Sequence, residues 1–140
     1  MNAYVARVID YVKKKHADEP EFCQTVEEVF SAVSPVVDAH PEYEKADLLT
    51  RMVEPERMFT FRVVWCDDGG QWHTNIGYRV QFNGAIGPYK GGLRFQPNVN
   101  ASVMKFLGFE QTFKNASPAF PWAAARAAPI LTPPESRMRR

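Results

Sequence analysis

An α/β layered domain is the architecture this sequence predicts, and three observations predict it. The first 50 residues repeat apolar side chains at helical spacing, the middle switches to β-branched and aromatic runs split by a Gly-rich turn, and a strongly apolar helix follows. Helices, then strands, then a buried helix cover one another's apolar faces best as stacked layers.

Residues 2–16 read as a helix with Val5, Val8, Ile9 and Val12 on one face. Lys13, Lys14 and Lys15 close it, where basic residues suit the helix dipole, so that run reads as a solvated helix end. A second helix is expected to open near Pro20, since proline tolerates the first helical position, with Phe22, Val26, Val29, Phe30 and Val33 as its apolar stripe. The acidic run around Pro20 (Asp18, Glu19, Glu21) reads as helix-start capping. A third, short helix is expected after Pro41, carrying Tyr43, Ala46, Leu48 and Leu49. The "CDDGGQ" stretch is a hairpin signal between expected strands at 57–65 and 72–82, with Trp65 and Trp72 packing across them. "GGLRF" is a candidate further strand, and Asn100 is the expected N-cap of a helix over 101–116.

Composition excludes several function classes. Hydrophobic residues at 45% and charged residues at 24% describe an ordinary soluble globular protein. A formal charge of +1 gives no electrostatic case for nucleic acid. No apolar run approaches the roughly 18 residues that a membrane span needs. The opening residues lack the pattern of a secretion signal, and Cys23 and Cys66 read as free thiols, so the cytoplasm is the expected compartment. His16, His40 and His73 have no ligand-like spacing, and no metal site is expected. Cys66 has no histidine beside it in sequence to activate it as a nucleophile.

The stretch "GAIGPYKGGLRF" sets Lys90 among four glycines, where the backbone lets a ligand approach closely. Neither familiar phosphate loop fits: Lys90 is followed by glycines rather than Ser or Thr, and no glycine triplet has dinucleotide-binding spacing. Lys90 therefore reads either as a surface lysine in a turn or as an anchor for another kind of anion. Gln111 and Lys114, three positions apart on the last helix, share a face. That helix is apolar most of the way round, so Lys114 either snorkels to water or meets a ligand. Two separated cations and an amide suit a small dicarboxylate, each ion pair worth up to about 4 kcal/mol before desolvation is subtracted.

"RVQFNGAIGPYKGGLRFQPNVNASVMKFLGFEQTFKNA" closely resembles the N-terminal substrate domain of the hexameric glutamate dehydrogenases, members of the Glu/Leu/Phe/Val dehydrogenase family. "VEPERMFTFRVVW" and "EFCQTVEEVFSAVSPVVDAHPEYEKADLL" resemble it too, so the likeness spans about residues 2–116. It implies N-terminal helices packed on a mixed β-sheet, a homohexamer, and reversible oxidative deamination of glutamate to 2-oxoglutarate and ammonia. The coenzyme implied is NADP or NAD, the lean to NADP resting only on the family's common biosynthetic role, bound by a domain expected to be absent from this chain. By resemblance Lys90 would hold the distal carboxylate of glutamate or 2-oxoglutarate, and Gln111 and Lys114 the α-carboxylate.

After Ala116 the chain departs from the family. Residues 117–140 read as an irregular tail, yet shifting the reading frame by one base turns "AFPW" into "CLPM" and "AAARAA" into "GGGKGG". The family carries its catalytic lysine in such a segment, and here that position is Arg126, which does not deprotonate near neutral pH. The expectation is a missing base just after codon 116 and a 140-residue chain without turnover of its own. The rival reading is non-enzymatic: a small dicarboxylate-binding or oligomerisation module.

Overall fold

The computed structural model describes residues 1–85 and 87–116. Among these described residues five helices and one hairpin follow in the order α1 (Ala3–Lys15), α2 (Pro20–Ala39), α3 (Glu42–Lys45), α4 (Leu48–Val53), β1 (Arg57–Cys66), β2 (Trp72–Gln81) and α5 (Ala101–Ala116). Pro20 takes the first turn of α2, as its fixed φ favours. Asn100 caps α5 by accepting the Val103 amide at 2.9 Å.

α2 is the centre of the helical layer, with α1 on one side and α5 on the other. Tyr4, Val5, Val8 and Val12 of α1, Phe22, Val26 and Phe30 of α2, and Met104 and Phe109 of α5 form one buried core with Val53, Val80 and Phe82. Phe109 sits in an aromatic cluster, edge-on to Phe22 at 6.0 Å and to Phe30 at 5.7 Å. No helix among the described residues is long and apolar enough to cross a membrane.

The expected short third helix is two helices. The chain breaks at Asp47, whose φ of 48° is left-handed, and the Tyr4 hydroxyl ties the start of α4 back to α1. The sheet described is a single antiparallel pair with Phe59 opposite Arg79 and Trp65 opposite His73. Trp65 therefore stacks on His73, 4.5 Å between ring centroids, and Trp72 is 71% exposed, so the two tryptophans do not pack together. In the candidate strand at "GGLRF", only Arg94 forms an isolated bridge. β2 buries only its last residues against the core, and the rest of the hairpin projects with apolar side chains on both faces.

Candidate functional site

The C-terminal half of α5 and the end of the glycine-rich segment form a concavity of about 300 Å³. Gly92, Leu93 and Arg94 line one wall, and Leu107, Gly108, Glu110, Gln111 and Lys114 the other. That volume lies at the lower end of small-molecule sites. Gln111 and Lys114 are thus brought together on one wall. Lys90 is exposed and stands two residues before Gly92, outside the lining itself.

Lys114 is not a buried lysine: its side chain is 66% exposed, and among the described residues its ion pair is a long contact of 3.7 Å to Glu110. An exposed pair of that length contributes little, which leaves the ammonium free to exchange partners. Gln111 donates one amide N–H to Asn115 at 2.7 Å, and its second N–H remains for another acceptor. An amide N–H and an ammonium side by side can hold one carboxylate by charge-assisted hydrogen bonds. Arg94, whose Nε donates to Gln96 at 2.9 Å, adds a second cation to the same concavity. The sequence carries no signal for its place in the site, since residues 90–94 form no helix and a spacing of four fixes no shared face there.

A larger concavity, about 630 Å³, is lined by Arg51, Met52, Glu56, Phe82 and Tyr89. It contains none of Lys90, Gln111 and Lys114. Its Glu56 carboxylate accepts the Gly84 amide at 2.9 Å, and a carboxylate there opposes a second anion.

The buried lysine of α5 is Lys105, 5% exposed. Its ammonium donates to both oxygens of Glu19, at 2.6 and 2.8 Å, with Nδ1 of His16 3.1 Å away. Glu19 occupies the N-cap position of α2 without capping it, and Glu21 accepts the Ser102 hydroxyl at 2.6 Å. Glu19 and Glu21 thus hold α5, while Glu21 also stands in the first turn of α2 as expected and takes a hydrogen bond from its own amide. The sequence signal for Lys105 was its position four before the core residue Phe109.

Among the described residues no group of three or more His, Cys, Asp or Glu could hold a metal ion. Cys66 is exposed, its thiol directed at the Asp67 carbonyl at 3.6 Å. His73 instead bonds the Asp67 carboxylate at 2.8 Å, and that bond, with the Gln71 and Gly69 amides, holds the carboxyl below its ordinary range. Arg126 and the tail at 117–140 lie outside the described residues.

The chain is 64% identical over 133 residues to the NAD-specific glutamate dehydrogenase of Clostridium symbiosum, covering 95% of this chain and 30% of that protein. It is 49% identical over 139 residues to the NADP-specific glutamate dehydrogenase of a Psychrobacter species, covering 97% of this chain and 31% of that protein. Among solved structures, a lysine-to-leucine mutant of a glutamate dehydrogenase superposes with a TM-score of 0.89 at 59% identity, covering 97% of this chain and 30% of that one. The chain thus spans about 30% of the length of the relatives it matches. The family model for the dimerisation domain of Glu/Leu/Phe/Val dehydrogenases matches residues 55–139, further along the chain than the expected limit at 116. The chain belongs to the Glu/Leu/Phe/Val dehydrogenase family, and residues 55–139 match its dimerisation domain.

Proposed function

We propose that this chain supplies part of the substrate site of a glutamate dehydrogenase, the enzyme that interconverts glutamate with 2-oxoglutarate and ammonia by hydride exchange with a nicotinamide coenzyme. The observation that carries the reading is the concavity in which Gln111 and Lys114 face the end of the glycine-rich segment. In this reading Gln111 and Lys114 grip the α-carboxylate, and Lys90 meets the distal carboxylate. Selection for a diacid then follows from two cationic anchors, because a monoacid leaves one of them unpaired.

The proposed coenzyme is NAD or NADP. Relatives of both specificities match these residues, which supports setting that choice outside them. A family base acting near neutral pH has to be a lysine with lowered pKa rather than Arg126. We therefore propose a one-base frame difference after codon 116, which rests on the "CLPM" and "GGGKGG" reading of the shifted frame and not on the family match, since that match is made by the residues as they stand. Resequencing across codons 115–120 tests it, and a clean read without frame conflict ends the proposal.

We also propose self-association through the β1–β2 hairpin, with a homohexamer as the complete assembly. Phe59 and Phe61 on one face and Val64, Trp72 and Ile76 on the other are large, apolar and exposed, which a lone hairpin does not sustain in water. Activity is tested on the product of the frame-restored, full-length gene. Glutamate-dependent reduction of NAD or NADP is expected there and not from the 140-residue chain; a full-length product without it contradicts the reading.

A further inference from the structure

α5 poses a problem of aim. Apolar side chains run nearly all the way round it, so burial alone gives only a weak preference for its rotation about its own axis. Yet Gln111 and Lys114 reach the glycine-rich segment only at one rotation. Directional polar contacts at the other end of the helix supply it.

Lys105 is held by Glu19, and one turn earlier Ser102 is held by Glu21. Both carboxylates belong to the residues that open α2, and Phe22 beside them stacks its ring edge on Phe109. Lys105 and Lys114 stand nine positions apart. At about 100° per residue that is a half-turn beyond two full turns, so directing Lys105 into α2 directs Lys114 away from it. The same geometry leaves Gln111 beside Lys114.

A buried ion pair is a poor choice if stability alone is wanted. Desolvation offsets the attraction, and apolar side chains of similar volume often do as well or better. Fixing register is the best-attested use of such a pair. We propose that Glu19 and Lys105 are positioning residues: their pair sets the rotation and axial register of α5 and so aims Gln111 and Lys114 at the substrate. The statement about substrate rests on the function proposed above; the statement about the helix does not.

The test uses the 140-residue chain with Cys23→Ala and Cys66→Ser, and nitroxide labels on Ala32→Cys of α2 and Ala116→Cys of α5. Pulsed electron resonance reads the distance between them, alongside melting temperature and calorimetric affinity for 2-oxoglutarate. In the Glu19→Met/Lys105→Met pair the melting point is expected to stay within about 4 °C. The mean distance is expected to shift, or its spread to grow, by about 3 Å or more, two residues of helical rise. Affinity for 2-oxoglutarate is expected to fall about 10-fold or more. A folded Met pair with unchanged distances overturns the proposal. If the Met pair does not fold, Glu19→Gln is read instead: a broadened distance supports the proposal and an unchanged one overturns it. If the parent chain binds no 2-oxoglutarate, the substrate reading fails, and the distances alone decide whether the pair positions α5.

Discussion

The Tyr4 hydroxyl lies 3.0 Å from the Leu49 amide nitrogen, which donates to it, and itself donates to Asp47 Oδ1 at 3.1 Å. One buried phenol on α1 thus satisfies the Leu49 amide in the first turn of α4. Tyr4→Phe keeps the ring and leaves the Leu49 amide without its acceptor, at an expected cost of about 1–2 kcal/mol. Urea unfolding of the two proteins measures it as a lower midpoint at equal slope. Equal midpoints would show that water replaces the hydroxyl at no cost.

Asn100 is the corresponding device for α5. Its Oδ1 accepts the Val103 amide and its carbonyl accepts the Met104 amide. Asn100→Ala is expected to destabilise the chain by about 1 kcal/mol, and Asn100→Asp to retain most of that stability. If both variants melt with the parent, the cap contributes nothing.

Glu54 governs part of the acid limb. Partial burial pushes its carboxyl up, but the hydrogen bonds from Lys15 and Tyr11 outweigh that and leave it below its ordinary value. A carboxyl with a depressed folded pKa contributes stability that is present above the unfolded pKa, near 4, and is lost as pH falls through the folded value. Melting curves from neutral to acid pH should therefore drop less steeply for Glu54→Gln, which starts lower at neutrality. Parallel acid limbs would assign the pH dependence to other groups.

The hairpin predicts an association phenotype. Ile76 is 55% exposed and Val64 51%, on the same face two rungs apart. Ile76→Lys puts a charge into any apolar contact made there and is expected to shift sedimentation towards the monomer with little change in melting temperature. A parent chain that is already monomeric, or a variant that associates as well as the parent, argues against the hairpin as the interface.

Much of this fold was legible because the deciding signals are local. Pro20 opens α2, Asn100 caps α5, and Asp-Gly-Gly turns the hairpin, each through its own backbone preference. Asp47 was not legible, since its left-handed φ is supported by a tyrosine 43 positions away. Nor was the buried pair: Glu19 and Lys105 are 86 positions apart, and each alone reads as a surface charge. For the site, residue type and spacing pointed to Lys90, Gln111 and Lys114. The concavity joining the last two to Gly92 exists only in three dimensions.

Calorimetric titration of 2-oxoglutarate into the 140-residue chain, beside Lys90→Ala and Lys114→Ala, tests the site most directly. The account predicts measurable binding to the parent, weakened about 10-fold or more by either substitution, or roughly 1.4 kcal/mol each, with glutarate binding better than a monocarboxylate of equal length. No binding to the parent, or affinities unchanged by both substitutions, would contradict it.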